Sequence, residues 1–210
     1  MKMKICITLD DVLRAKTRQF GKIYKKAFGV DDEFLESRDF STNDLCQVFG
    51  FESREKFNDF LYKDYPFEIF AEALPMERML DKNFNLWTLK VCDENPGVDF
   101  MLANPFEFNT SIGFTCFFLS QIATRIREFC FPKDSSEIWK KCDILITAEP
   151  KLLKEKPEGK VVVKIEAPYN KDLDADMTYE NLSSLMSDEN FLTKVDELMT
   201  KNDKGQKESE

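Results

Sequence analysis

The chain has 210 residues, of which 42% are hydrophobic and 33% are charged, which is the composition of an ordinary globular domain. Its formal net charge of −9 argues against a nucleic-acid backbone as the main partner. The sequence contains no histidine, which excludes serine–histidine and cysteine–histidine hydrolysis. Any catalysis therefore has to use carboxylates, lysine or a hard metal ion.

The sequence also indicates where the protein resides. It has no apolar run long enough for a transmembrane helix, and its N-terminus passes directly into the first predicted strand, so we expect no signal peptide and no membrane partner. Its six cysteines form no Cys-x-x-Cys pair and fall mostly within apolar patterns, which indicates free thiols in a reducing compartment. We expect a cytoplasmic protein, or one assembled from a cytoplasmic pool.

The first predicted strand, Met3–Ile7, is short, apolar and partly β-branched, as is typical of a strand buried on both faces. It is followed closely by Asp10 and Asp11. In open α/β sheets, functional sites lie just beyond the carboxyl ends of the strands. We therefore expect any site of this protein to be built around these two carboxylates.

A helix over Arg14–Phe28 is predicted next, because its apolar residues recur with helical spacing and Gly29 is placed to end it. Its basic residues favour a solvated helix face, although a grip on a phosphate or an acidic partner is the alternative; they are Arg14, Lys16, Arg18, Lys22, Lys25 and Lys26. The next stretch, up to Cys92, contains short helical patterns and no convincing strand.

Strands and helices then alternate. The predicted strands are Asp99–Leu102, Phe129–Phe131, Ile144–Ile146 and Val161–Ile165, with helices over Ile112–Arg127, Glu137–Lys141 and Phe191–Met199. Such alternation predicts a parallel sheet with right-handed crossovers. The residues from Lys201 onward are polar, and we expect them to form a mobile tail.

The stretch Ile5–Leu13, which reads Ile-Cys-Ile-Thr-Leu-Asp-Asp-Val-Leu, resembles the first signature motif of the haloacid dehalogenase-like (HAD) phosphohydrolases. The closest form is Asp-Leu-Asp-Asp-Val-Leu, which is found in their nucleotidase branch. In this comparison the family's nucleophilic aspartate falls on Thr8, and its second aspartate is kept as Asp10. Asp10 then stands as a relic of the acid–base residue.

The other signature motifs show similar departures. The segment Asp143–Pro150 resembles the fourth motif, but Thr147 and Ala148 stand where the family has metal-binding aspartates, with Glu149 one position out of frame. Pleat alternation would turn Glu149 away from its neighbour. The second motif would end in a hydroxyl, but the chain has Ala103 followed by Asn104, which could donate instead; the third-motif lysine has the candidates Lys133, Lys140 and Lys141.

The resemblance implies a three-layer, Rossmann-like HAD fold with a parallel sheet and an inserted helical cap. We expect residues 1–13 and 95–200 to form the α/β core, residues 14–94 the cap and residues 201–210 the mobile tail.

The same comparison yields the candidate site. The candidate catalytic residue is Asp10; the candidate binding residues are Thr8, Asp11 and Asn104; and the candidate metal ligands are Asp10 and Glu149. Phosphoryl transfer of this type requires a carboxylate nucleophile and a carboxylate-bound Mg²⁺. We therefore predict a catalytically degenerate HAD-fold protein with no cofactor, acting as a binding or structural module.

Two other functions are kept as alternatives. The first is a Mg²⁺-dependent phosphatase or nucleotidase that uses Asp10, Asp11 and the displaced Glu149. The second is a sensor that binds phosphate or a nucleotide without turnover.

A protein partner, or self-association, is suggested by the phenylalanine content. The sequence has 20 phenylalanines, and a run of them lies at Phe100, Phe106, Phe108, Phe114, Phe117 and Phe118. Core packing is the favoured interpretation of this run, and an exposed patch for a partner protein is the alternative. The chain is also similar to HAD-like proteins of tailed phages that infect gut Bacteroidales, which would imply the host cytoplasm or the virion as its location.

Overall fold

The computed structural model describes residues 3–78, 80–105, 107 and 109–207. Two phenylalanines of the run noted above, Phe106 and Phe108, lie outside the described residues, as do residues 208–210 of the predicted tail. In the described part of the chain, no helix combines the length and the apolar character needed to cross a membrane.

The centre of the molecule is a six-stranded parallel sheet with the order β3-β2-β1-β4-β5-β6. The strands are β1 Met3–Thr8, β2 Val98–Ala103, β3 Glu128–Cys130, β4 Ile144–Thr147, β5 Val161–Ile165 and β6 Met177–Tyr179. The chain reverses its direction of travel across the sheet at β1, so the gap between the carboxyl ends of β1 and β4 is the place where such folds build sites.

Both faces of the sheet are covered, because β1 sends alternate side chains to opposite sides. Ile5 and Ile7 lie in one apolar cluster, whereas Cys6 lies in a second cluster on the other face. All three are fully buried. The predicted three-layer α/β architecture with a parallel sheet is confirmed.

Some of the helices pack against this sheet, and others form an apolar core of their own. They are α1 Lys16–Phe28, α2 Asp32–Glu36, α3 Leu45–Val48, α4 Arg54–Asp59, α5 Leu80–Glu94, α6 Asn109–Gln121, α7 Ser135–Trp139, α8 Pro150–Lys154, α9 Leu182–Met186 and α10 Phe191–Lys207. The predicted end of α1 is confirmed: Gly29 has a φ of 69°, and its N–H donates to the Lys25 carbonyl at 2.9 Å. Glycine adopts this left-handed conformation without steric penalty.

The segment between β1 and α5 has an apolar core of its own. Phe20 lies at its centre, with the rings of Phe49, Phe57 and Phe60 at 4.8, 5.7 and 5.4 Å. Two single π-helical turns, Phe60–Asp64 and Phe67–Ala71, follow α4. Many of the chain's phenylalanines are therefore used inside this helical segment.

Helix α5 packs differently from the helices before it. Its buried side chains Leu80, Phe84, Trp87 and Val91 belong to the apolar cluster on the sheet. The boundaries between core and cap, at residues 13/14 and 94/95, stay a prediction. Helix α5, which the prediction assigned to the cap, packs against the sheet.

Several predicted elements differ from the structure at their ends. Helix α6 ends at Gln121 and not at Arg127, because Ala123 has a φ of 48°, which breaks the helical path. Strand β6 and helix α9 have no counterpart in the sequence prediction, since β6 is only three residues long and α9 only five. Helix α10 continues to Lys207, beyond the predicted end at Met199.

Candidate functional site

The loop that follows β1 is a tight turn held by one carbonyl group. The Leu9 carbonyl accepts hydrogen bonds from the N–H groups of Val12, Leu13 and Arg14 at 2.9 to 3.3 Å. Asp11 lies within the turn at a φ of 57°, a left-handed conformation that aspartate tolerates better than most residues. The turn thereby places the side chains of Asp10 and Asp11 in different surroundings.

Thr8, at the end of β1, is paired with a second threonine. Its hydroxyl donates to Thr147 Oγ1 at 3.0 Å, across the gap between β1 and β4. Thr147 Oγ1 also accepts the backbone N–H of Glu149 at 3.0 Å. Thr8 is 2% exposed and Thr147 is fully buried. Two neutral hydroxyls joined by one hydrogen bond thus occupy positions at which the resemblance would place two carboxylates.

Asp10 is held by two cations. Arg14 donates through Nε to Asp10 Oδ1 at 2.8 Å, and Lys16 donates through Nζ to Oδ2 at 2.7 Å. Burial acts to raise the pKa of Asp10, but the attraction of Arg14 and Lys16 outweighs it, and the pKa lies below its usual value. Both carboxylate oxygens are therefore engaged by positive side chains.

Arg14 is fully buried, so the predicted solvated helix face is wrong for this residue. Its Nη1 donates to Thr115 Oγ1 at 2.6 Å, and its Nη2 lies 3.7 Å from Glu107 Oε2. The guanidinium also lies over the ring of Phe70 at 5.2 Å. The turn after β1 carries Arg14 inward, because its backbone closes the loop on Asp11. A buried charge of this kind requires the partners it has here.

Asp11 fastens the start of α1. Its carboxylate accepts the backbone N–H of Thr17 at 3.1 Å and the hydroxyl of Tyr169 at 2.9 Å. Helix α1 has no side-chain cap at Ala15, so Asp11 satisfies one of its free N–H groups from outside the helix. Burial raises the pKa of Asp11 above its usual value, although these hydrogen bonds oppose the shift.

Glu149 begins α8 and faces the same pocket as Asp10. Its Oε1 accepts the Asn43 side-chain amide at 2.9 Å. Burial raises the pKa of Glu149 despite a hydrogen bond from the Lys151 backbone. Strand β4 ends at Thr147, so strand alternation no longer dictates the direction of Glu149, and the side chain is not turned away as the sequence suggested.

Asn104 lies just beyond β2 and is 1% exposed. Its backbone N–H donates to the Cys130 carbonyl at 3.0 Å, and its side-chain amide donates to Glu107 Oε2. The Glu107 contact fixes the orientation of the amide. Asn104 Oδ1 has no hydrogen-bond partner among the described residues.

These side chains line one small pocket of about 130 Å³ at the carboxyl ends of β1, β2 and β4. The structure brings all the sequence-predicted site residues into its walls: Thr8, Asp10, Asp11, Asn104 and Glu149. The lysine of this pocket is Lys16, whereas the candidates Lys133, Lys140 and Lys141 are absent from its lining among the described residues.

The pocket does not fit a magnesium ion. Mg²⁺ requires near-octahedral oxygen ligands, usually including carboxylates that are free to coordinate it. The oxygens of Asp10 are taken by cations and those of Asp11 by Thr17 and Tyr169. In the ranges that the structure describes, no three acidic or cysteine residues are grouped so that they could hold a metal ion.

Other residues of this site were missed by the sequence analysis. Glu107, Tyr169 and Asn43 come from distant loops, and no local pattern points to them. Arg14 was recognised in the sequence only as one of several basic residues, because residues 10–14 form a turn and not a helix in which an i,i+4 ion pair could be predicted.

No protein-family model matches the sequence, and no curated protein matches it. The structure is similar to a haloacid dehalogenase-like hydrolase from Burkholderia xenovorans, with a TM-score of 0.55 and 11% identity over 91% of this chain and 98% of that one. It is similar to the β-phosphoglucomutase of Clostridium difficile, with a TM-score of 0.52 and 13% identity over 95% and 100% of the two chains.

A third similar structure is the HAD-hydrolase YfnB from Bacillus subtilis, which was solved bound to magnesium. Here the TM-score is 0.52 and the identity 8%, over 88% of this chain and 96% of that one. At such low identities, the likeness shows a shared fold. The chain therefore has the fold of the HAD-like hydrolases, as the sequence resemblance implied.

Proposed function

We propose that this protein is a HAD-fold binding module that does not catalyse metal-dependent phosphoryl transfer. The observation that carries the proposal is the pair of neutral hydroxyls, Thr8 and Thr147, at the carboxyl ends of β1 and β4. A threonine without a neighbouring base is a weak nucleophile at neutral pH. The acid that remains, Asp10, is bound to Arg14 and Lys16.

The charges of the site support the same conclusion. A general acid has to exchange its proton near neutral pH. The pKa of Asp10 is instead held below its usual value, because Arg14 and Lys16 favour the carboxylate. A carboxylate locked in this form is suited to holding a loop and not to protonating a leaving group.

The first experiment is hydrolysis of p-nitrophenyl phosphate with Mg²⁺ and with EDTA. We expect no difference between the two conditions and no rate above that of the buffer. Mg²⁺-dependent hydrolysis that is lost in Asp10→Asn would contradict the proposal. Asp10→Asn is chosen because it keeps the size of the side chain and removes its charge.

A second experiment tests whether the site would bind Mg²⁺ if carboxylates stood at positions 8 and 147. In the double variant Thr8→Asp/Thr147→Asp, two carboxylates would face each other and Asp10 across the strand ends. We expect this variant to be less stable than the parent and to be restabilised by millimolar Mg²⁺, because a metal ion would relieve the like-charge repulsion. The matched control is Thr178→Asp, at an exposed position of β6, which we expect to be insensitive to Mg²⁺.

The second candidate function is a Mg²⁺-dependent phosphatase or nucleotidase with an atypical site. It is favoured by the structural neighbours, since two are hydrolases, one is a mutase and one of these hydrolases is bound to magnesium. It would require Asp10 to leave Arg14 and Lys16 and turn towards Glu149. Calorimetric titration with Mg²⁺ separates the candidates, because only this second function requires heat of binding that Asp10→Asn abolishes.

A structural role with a protein partner belongs to the same proposal. Helix α6 carries no charged residue, and its Phe117 is 45% exposed beside Phe67, which is 41% exposed. Their ring centroids lie 5.7 Å apart. The narrower role of a phage virion component rests on the sequence resemblance alone.

The partner role is tested by size-exclusion chromatography with light scattering. We expect self-association that Phe117→Glu abolishes. The control is Phe129→Glu, at a side chain that is 40% exposed on the edge strand β3. A parent protein that stays monomeric and co-purifies with no larger assembly would contradict the structural role.

A further inference from the structure

The pocket at the ends of β1, β2 and β4 has an excess of negative charge. Four carboxylates line it: Asp10, Asp11, Glu107 and Glu149. Two cationic side chains oppose them: Lys16, which lines the pocket, and Arg14, which lies behind Asp10. The site therefore holds two more negative than positive groups, and a phosphate ester would add further negative charge to it.

Most polar atoms in the pocket are already used. Asp10 is bound to two cations, Asp11 to Thr17 and Tyr169, and Glu107 to Asn104 and Thr115. The exception is Asn104 Oδ1, a buried acceptor in the pocket wall with no partner among the described residues. A buried acceptor without a donor costs about 1–3 kcal/mol, so a ligand that supplies an N–H donor there would relieve this cost.

Glu149 provides the second open acceptor. The two hydrogen bonds described for its carboxylate both end on Oε1, from Asn43 at 2.9 Å and from the Lys151 backbone at 3.4 Å. Among the described residues, no hydrogen bond or ion pair ends on the other oxygen of this carboxylate, Oε2. The pocket thus presents an amide oxygen and a carboxylate oxygen, and both of these accept N–H donors.

From the unpartnered Asn104 oxygen and the excess of carboxylates, we infer that this pocket binds a small ligand bearing a protonated amino group. The ammonium donates to Asn104 Oδ1 and is neutralised by Glu149. The cavity of about 130 Å³ is smaller than a site for a drug-sized ligand, so only the amino group and a short carbon chain enter it. Unlike Mg²⁺, an ammonium group needs no octahedral cage and is satisfied by hydrogen-bond acceptors.

This inference rests on the proposed function, because a catalytic metal ion beside Asp10 would occupy the same space. The two can fail separately. Mg²⁺-dependent hydrolysis overturns the proposed function, whereas a chain that neither hydrolyses phosphate esters nor binds amines overturns only this inference.

The test uses methylammonium chloride as the probe. Tetramethylammonium chloride at the same ionic strength is the reference, because it carries the same charge but has no N–H donor. We expect millimolar methylammonium to raise the thermal midpoint of the full chain by about 3 °C relative to the reference. In two-dimensional NMR, the Asn104 side-chain amide signal should move with methylammonium and stay in place with tetramethylammonium.

The variant Glu149→Gln tests the second acceptor. Glutamine keeps an oxygen for Asn43 and for the start of α8 but removes the charge, so we expect the dissociation constant for methylammonium to rise about tenfold. The matched control is Glu158→Gln, an exposed carboxylate outside the pocket, which should leave the constant unchanged. Equal effects of methylammonium and tetramethylammonium on the parent protein, or an equal response of both variants, would overturn the inference.

Discussion

Two neighbouring parts of the same site bury polar groups in different forms, one as neutral hydroxyls and the other as ion pairs. At the strand ends, Thr8 and Thr147 form a neutral pair of hydroxyls in which Thr8 donates to Thr147. Two residues further along, Asp10 is ionised and held by Arg14 and Lys16. A hydroxyl pair loses little when both groups are removed, whereas a buried ionic group is sensitive to the loss of any one member. Stability therefore depends more on the charged half of the site, Asp10 with Arg14 and Lys16, than on the two hydroxyls.

The largest expected effect is on the charged half. Arg14→Met should lower the free energy of unfolding by about 3–5 kcal/mol, because it leaves Asp10 and Glu107 without their buried cation. Urea unfolding followed by fluorescence measures this change. Lys25→Met is the matched control, since Lys25 pairs with Asp32 at the surface, and it should change the value by no more than about 0.5 kcal/mol. Similar losses in both variants would erase the distinction between the two halves.

Substitutions in the hydroxyl half of the site should lower the free energy of unfolding by less than Arg14→Met does. Thr147→Val should lower the free energy of unfolding by about 1–3 kcal/mol, because it removes the side-chain acceptor of the Glu149 N–H and leaves the Thr8 hydroxyl only a long contact of 3.5 Å to the Ile146 carbonyl. Thr8→Val should cost about 1 kcal/mol, since it removes a donor and leaves no backbone N–H group without its acceptor.

The double variant Thr8→Val/Thr147→Val sharpens this result. Its loss should be smaller than the sum of the single losses, because the Thr8 hydroxyl no longer needs a partner. Strictly additive losses would mean that the two hydroxyls do not interact.

A smaller effect is expected on the pH dependence of stability, where Asp10 and Asp11 act with opposite signs. The lowered pKa of Asp10 stabilises the fold above the unfolded pKa of about 4, and this contribution is lost as the pH falls through the folded pKa. The raised pKa of Asp11 destabilises the fold at neutral pH, and this penalty is relieved as the pH falls through the folded pKa.

Urea titrations between neutral pH and about pH 3 test these signs. Asp10→Asn should make the acid loss of stability shallower, whereas Asp11→Asn should make it steeper. A change of slope in the same direction for both variants would show that the two carboxylates do not lie in opposite electrostatic surroundings.

The smallest expected effect is that of magnesium on the parent chain. Because both Asp10 oxygens are occupied by cations, millimolar Mg²⁺ should shift the thermal midpoint by less than about 1 °C relative to the same concentration of Ca²⁺. A clear and specific rise with Mg²⁺ would favour the phosphatase candidate.

Much of the sheet could be predicted from the sequence. The strands β1, β4 and β5 are short apolar runs with nearly continuous burial, a pattern that is visible without any tertiary information. Strand β6 could not be predicted, because its three residues are only partly buried and it exists through its pairing with β5. The early end of α6 depends on the left-handed backbone at Ala123, a residue type that ordinarily favours helix.

The sequence predicted which residues lie at the candidate site, but not which hydrogen bonds and ion pairs they form. The rule that sites lie beyond the carboxyl ends of parallel strands correctly brought Thr8, Asp10 and Asn104 together. It gave no information on which side chain would neutralise Asp10. The basic residues of the predicted helix Arg14–Phe28 looked alike in the sequence, yet Arg14 is buried and Lys25 is at the surface.

By itself, the sequence determined the order of the strands along the chain, the absence of histidine chemistry and the presence of threonines at positions 8 and 147, where the resemblance would place carboxylates. These follow from composition, spacing and local pattern. Only the tertiary structure decided that the two threonines bond to each other, that Arg14 turns inward to Asp10, and that Asn104 keeps an open acceptor. The physical reason is that pairing and burial depend on which residues from distant segments meet, and this is set by the packing of the whole chain.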